Sequence, residues 1–294
     1  MKKPLIALCI VVVVCSLLTV LLILNLPSAP SDGPPLPTPT NHELQQAIDR
    51  SFTYLRQTQH PIGLLMLNII YRQFAIAEFE DSLQRYDQLW ASSTDPLIRV
   101  WRRIADYNTS TVQPEDFNAV TDPLNRLTIP ALYSDRRSLP EDYMNQLIDA
   151  MDRGYISLIQ STDSGSLDDG AYLLTHVLLA TIWLQENNCS LQLSDDFTSS
   201  LYQINAALVG DGSQVDDIQL EAAAFLYQAG QGNLIHPDFA ENVIAAQNPD
   251  GGWSISSGTP NDSDWHPSVL ALMFLLFMQN PAASYPPMLA PATN

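Results

Sequence analysis

Gln247-Asn-Pro-Asp250-Gly251-Gly252-Trp253 stands between two segments of opposite character. Before it, Phe239-Ala-Glu-Asn-Val-Ile-Ala-Ala-Gln247 mixes apolar and polar residues at helical spacing. After it, from Pro267 to Met278, the chain is almost wholly apolar. Proline and paired glycines interrupt a helix, so the heptapeptide reads as a turn joining an amphipathic helix to a buried one. The same order occurs twice more. Ala47-Ile-Asp49-Arg50-Ser-Phe-Thr-Tyr-Leu55-Arg-Gln57 aligns without gaps with Ala150-Met-Asp152-Arg153-Gly-Tyr-Ile-Ser-Leu158-Ile-Gln160, sharing Ala, Asp, Arg, Leu and Gln. Each copy ends in Gln, passes a Gly-containing turn and enters a very apolar helix, from Leu64 or from Ala171.

Strand signals are scarce outside these repeats, and helix signals are frequent. Asn41 is placed to cap a helix with Leu44, Ile48, Phe52 and Leu55 on one face, which Pro61 and Gly63 end. Asp95-Pro96, Pro114-Glu115 and Pro140-Glu141 are helix-start signatures, with proline in the first turn and acid beside it. Further helices are expected over 171–186, 195–208, 215–229, 237–247 and 267–278. The count comes to about eleven or twelve, so the fold class is all-α. Outer helices with one apolar stripe alternate with inner helices apolar all round, as a closed ring of hairpins requires. A helical-repeat solenoid or a bundle is the alternative.

The heptapeptide resembles the Q-x-x-D-G-G-W repeat of the terpene cyclases and protein prenyltransferase β subunits. The resemblance implies an α/α toroid of about six helical hairpins, with Gln, Gly and Trp tying neighbouring hairpins together. The earlier copies, Gln57 to Gly63 and Gln160 to Gly165, keep Gln and Gly and lose Trp. The chemistry of the superfamily transfers poorly. Ser166-Leu-Asp168-Asp169-Gly170-Ala171 resembles the D-x-D-D-T-A acid motif of squalene–hopene cyclases, with Asp168 at the acid position. Ser166 stands for its first Asp and Gly170 for its Thr, and the chain has room for one helical domain rather than two. The Asp-x-Cys pair of the prenyltransferase zinc site is missing.

The ends of the chain differ from its body. Pro4 to Leu26 carries no charge and is rich in Leu, Ile and Val, long enough to span a bilayer. Lys2 and Lys3 precede it, so residues 1–26 read as a single-pass signal anchor with a cytoplasmic N-terminus. The C-terminal domain would be periplasmic, extracellular or lumenal. A cleaved signal peptide is the rival reading; the run is long for one, and Pro27 and Pro30 crowd the only cleavage site. Residues 27–40 hold six prolines and form a spacer. Residues 41–280 are the helical domain, and 281–294, PAASYPPMLAPATN, are expected to be a disordered proline-rich tail.

The chain has 32 acidic and 13 basic residues, and no Lys or Arg follows Arg153. Such a surface repels phosphate backbones, which excludes nucleic acid as a partner. It favours a cation, a basic protein or a neutral glycan on the acidic face. Cys189 is the only cysteine beyond the anchor, so no disulfide forms within the domain.

Three segments put polar groups at the starts of apolar helices: Asp168-Asp169-Gly-Ala-Tyr172-Leu-Leu-Thr175-His176, Asp216-Asp217-Ile-Gln219-Leu-Glu221 and Asp262-Ser-Asp264-Trp265-His266. In a toroid these starts surround one mouth of the central cavity. The candidate catalytic residues are therefore Asp168, Asp169, His176, Asp217 and His266. Trp253, Trp265 and Tyr172 are the binding candidates. Against this, an Asp before a helix ordinarily caps it, a His on an apolar helix is ordinarily a bonded core residue, and Trp ordinarily packs. No complete catalytic, cofactor or metal signature is present. The first expectation is a membrane-tethered binding or assembly module. The second is an extracytoplasmic carbohydrate-active hydrolase or lyase using Asp and His at the mouth.

Overall fold

The computed structural model describes residues 39–108, 112–160, 168–191, 193–256 and 262–292. Among these the chain is mostly helical with almost no strand, which establishes the all-α class. Twelve α-helices occur: α1 (Asn41–Leu55), α2 (Pro61–Phe74), α3 (Ser82–Trp90), α4 (Pro96–Trp101), α5 (Pro114–Ala119), α6 (Pro123–Leu132), α7 (Tyr143–Gln160), α8 (Asp168–Glu186), α9 (Asp195–Val209), α10 (Asp217–Gln228), α11 (Phe239–Ala245) and α12 (Trp265–Gln279). A two-residue ribbon, β1 (Trp253–Ser254) against β2 (Ser263–Asp264), is the only sheet among them. The expected anchor, Pro4 to Leu26, lies outside the described residues, within which no helix is long and apolar enough to cross a membrane.

Local chemistry sets the helix starts. Asp95 caps α4 and Asp122 caps α6, each with proline at the next position, and Ser194 caps α9 through a bond to Phe197 N. Several expected boundaries move by a few residues, and two of the shifts have a plain cause. Thr40, not Asn41, caps α1 in a reciprocal box with Glu43. Pro61 begins α2 under a His60 cap instead of ending α1, because a first-turn proline has no intrahelical bond to lose.

The two helix types pack as the periodicity dictates. Helix α1 buries Leu44, Ala47, Ile48, Ser51 and Leu55 along one stripe. Helix α12 buries nearly every residue from Pro267 to Phe277. The even-numbered helices contact one another in succession: α2 meets α4, α6 meets α8, α8 meets α10, α10 meets α12, and α12 returns to α2. Between α4 and α6 the link is made by side chains. The Tyr133 hydroxyl, just past α6, donates to Val100 O at 2.8 Å, and Trp101 Nε1 donates to Asn125 Oδ1 at 2.8 Å. The odd-numbered helices lie against this inner set, α7 on α8, α9 on α10 and α1 on α12.

The Gln247–Trp253 turn joins the end of this sequence to its beginning. Gln247 Nε2 donates to Ala47 O on α1 and to Gly251 O, both at 2.9 Å. Trp253 is 1% exposed, and its Nε1 donates to Val243 O at 2.8 Å. Trp253→Phe is expected to cost about 2 kcal/mol, from an orphaned carbonyl and lost volume. It should lower the urea midpoint with an unchanged m-value.

The C-terminal segment departs from expectation. From Pro281 to Ala292 it forms no helix or strand, yet Met288, Leu289 and Ala290 are buried against the domain. Composition alone marks it as free chain. The apolar Met288-Leu289 pair and the backbone bonds it receives hold it in place.

Candidate functional site

Asp217 and Glu221 sit one turn apart on α10, so their carboxyl groups share a face. Asp216 caps α10 through Gln219 N, at 3.1 Å, which leaves Asp217 available for another role. Its carboxylate accepts from His266 Nδ1 at 2.7 and 2.9 Å and from the Tyr172 hydroxyl of α8. Asp264 is the cap of α12, accepting from His266 N at 2.8 Å, and so fixes the start of the helix that carries His266. Glu221, 2% exposed at its side chain, lies between two imidazoles. Its Oε2 is 3.5 Å from His266 Nε2 and its Oε1 is 3.4 Å from His176 Nδ1.

The two histidines are held differently. Burial works against a charge on His266. The hydrogen bond to Asp217 and the charges of Asp217, Glu221 and Asp264 outweigh burial and raise its pKa to about 9. His266 is therefore an imidazolium at neutral pH. His176 Nδ1 lies 2.9 Å from Tyr172 O, and a carbonyl can only accept, so Nδ1 carries the hydrogen. His176 Nε2 has no partner among the described residues.

This cluster borders a cavity of about 70 Å³ in the middle of the inner helices. Its lining comes from α2, α4, α8, α10 and α12, with Met288 from the C-terminal segment as the one exception. Trp101, Trp183, Phe225 and Trp265 form aromatic walls. Trp265 is held by a parallel stack on His60, with centroids 4.0 Å apart. Gly63 permits this approach, since a Cβ there would lie 3.0 Å from the indole. Two deeply buried polar atoms on cavity residues, Trp183 Nε1 and Glu221 Oε1, have no hydrogen-bond partner among the described residues. Each such atom costs about 1–3 kcal/mol unless something else satisfies it. A surface depression of about 690 Å³ bordered by Arg56, Glu78 and Arg85 is larger, but it is open to solvent and none of these three is buried.

The residues singled out from sequence thus divide. His176, Asp217, His266 and Tyr172 come together, and Trp265 joins them as a wall. Trp253 does not; it is a packing residue of the turn. Asp168 and Asp169 open α8, and their side chains lie outside the described ones. Glu221, Trp183 and Met288 were not singled out. The signal for Glu221 was an acid four residues after Asp217 in the otherwise apolar stretch Leu220 to Leu226. Among the described residues no group of three or more His, Cys, Asp or Glu is arranged to hold a metal ion. No family model, curated protein or solved structure matches the chain.

Proposed function

We propose that this chain is a membrane-tethered ligand-binding protein whose extracytoplasmic domain is an α/α toroid of six hairpins. In this reading its central cavity, once Met288 withdraws from the wall, holds a small molecule with an apolar body and a hydroxyl or amine head. The successive packing of the even-numbered helices supports the toroid, as does the Gln247 bond from the last hairpin to Ala47 in the first. The tether rests on Pro4 to Leu26. A cation, basic protein or glycan remains the class of partner for the acidic exterior.

One observation carries the binding reading: a donor, Trp183 Nε1, and an acceptor, Glu221 Oε1, that make no hydrogen bond among the described residues belong to residues of one apolar cavity. Polar groups of a ligand can satisfy these atoms, while the aromatic walls take the rest of the molecule. The test is mass spectrometry of small molecules extracted from the purified full chain carrying Met288→Asp, which removes that wall, alone and combined with Glu221→Gln or with Trp183→Phe. A stoichiometric compound in the Met288→Asp chain, reduced roughly tenfold or more in both double variants, is expected from the loss of about 1.4 kcal/mol or more. Equal recovery from all three, or none from any, overturns the reading.

A second reading, acid–base catalysis, is favoured by the pairing of an imidazolium at His266 with the open Nε2 of His176 across Glu221. Such a pair suits proton transfer or elimination, so the lyase form of the sequence expectation gains support. Hydrolysis by two carboxyl groups gains none, because Asp217 is bonded to His266 and Glu221 lies between the imidazoles.

A further inference from the structure

At about 70 Å³ the cavity has room for a few waters, well below the ~300–1,000 Å³ of ordinary ligand sites. Every wall but one belongs to a packed helix. The exception is Met288, 1% exposed, on a segment with no secondary structure. What fastens that segment is backbone recognition. Met288 N and Leu289 N donate to the two oxygens of Glu186, at 2.8 and 3.0 Å. Ala290 N donates to Ile104 O at 2.9 Å. Arg72 donates to Met288 O, Arg103 Nη1 to Ala290 O at 3.2 Å, and Gln73 Nε2 to Pro286 O at 2.6 Å. Pro286 and Pro287 have no N–H to satisfy, so every backbone donor from Pro286 to Ala290 is accounted for.

The clamp is built from groups that are costly to bury. Glu186 is desolvated enough to raise its pKa, despite the three bonds from Met288, Leu289 and Gln228 that oppose the rise. Burial pushes Arg72 down to about 10, and Arg103 is 1% exposed. Buried charges persist only where partners satisfy them, and here a peptide backbone does so. The side chains contribute little selectivity beyond two apolar residues after a proline pair.

We propose that Glu186, Arg72, Arg103 and Gln73 form a binding site for an extended Pro-Pro-apolar-apolar peptide. Its occupant is the chain's own C-terminus, which acts as a releasable plug on the central cavity. Release withdraws Met288 and enlarges the cavity toward ligand size. This deepens the binding reading above, since the plug closes that same cavity, while the clamp itself can be tested alone.

The first experiment uses the chain truncated after Tyr285 and a fluorescein-labelled peptide of residues 284–294, followed by anisotropy. The truncated chain should bind one peptide. The full chain should bind at least roughly tenfold more weakly, because its own tail competes at a high effective concentration. Glu186→Gln in the truncated chain should weaken binding by roughly tenfold, as one of two backbone N–H groups loses its acceptor. A truncated chain with native circular dichroism that fails to bind, or equal binding by both chains, overturns the proposal. The second experiment keeps the full chain and replaces Met288 by Asp, which disfavours burial of the tail. Modification of His176 by diethyl pyrocarbonate, read by peptide mass mapping, should be at least roughly tenfold faster than in wild type, and free peptide should slow it again. An unchanged rate overturns the plug. Wild-type protection that fades on dilution would place the tail in a second copy and overturn the intramolecular assignment. Glu221→Gln should leave peptide binding unchanged, so the clamp and the small-molecule reading fail separately.

Discussion

Gly251→Ala is expected to destabilise the domain by about 3 kcal/mol or more, a large part of the ~5–15 kcal/mol of an ordinary domain. Gly251 has φ of +96°, outside the range an alanine adopts without strain. An added Cβ would also lie 2.2 Å from Arg50 O and 2.7 Å from Arg50 C on α1. Both are backbone atoms inside a helix and cannot turn aside. The loop would have to withdraw from α1, and the Gln247 bonds to Ala47 O and Gly251 O would stretch or break. Gly230→Ala separates strain from collision. Gly230 also has positive φ, +73°, but a Cβ added there would meet nothing within 4 Å. That change should cost only the left-handed penalty of about 1–2 kcal/mol. Thermal unfolding of the two variants beside wild type is the measurement, at roughly 2–4 °C per kcal/mol for a domain of this size. If both variants fall equally, close packing of the last turn on the first helix is not what holds the ends of the fold together.

The sequence disclosed the alternation of helices because two different burial demands leave two different patterns. A helix that packs on one side keeps a stripe, as Leu44, Ile48 and Leu55 do in α1. A helix surrounded by others loses the stripe, as α12 does. Helices α3 and α6 were not singled out. The first has no capping bond, and the second carries Pro130 inside it, although Asp122-Pro123 was the same start signal as Asp95-Pro96. At the site, His176, Asp217 and His266 were legible because polar residues at the starts of apolar helices must be satisfied by one another or by a cap. Which did which was not legible: Asp216 and Asp264 took the caps, and Asp217 was left to bind His266. Composition does not separate a bound tail from a free one, for a physical reason. Proline-rich composition reports few donors and little secondary structure, which describes a bound extended segment as well as a free one. Met288-Leu289, two large apolar residues amid Pro, Ala and Thr, was the signal that separated the cases.

Raising the pH from 6.5 to 9 is expected to remove up to about 3 kcal/mol of stability through His266 alone. The folded chain holds the His266 proton up to a pKa of about 9, while the unfolded chain releases it near 6.5. The contribution is therefore complete below 6.5, falls through the interval and is gone above 9. The groups facing the ring are Asp217 and Glu221 from α10 and Asp264 at the start of α12. His60 stands on the far side of Trp265. His60 acts with the opposite sign. Burial holds its folded pKa below 6.5, so stability is lost as pH falls beneath that value. Together the two histidines place the most stable condition near pH 6.5. Urea unfolding at pH 6.5 and at pH 9 measures the slope, and Asp217→Asn shows its source. Without that carboxylate the His266 proton loses its strongest support, and the loss between the two pH values should shrink to less than half. A variant that keeps the wild-type slope would place the titrating group elsewhere. The imidazolium would then no longer serve as the acid facing His176 across Glu221, and the catalytic reading of the cavity would fall with it.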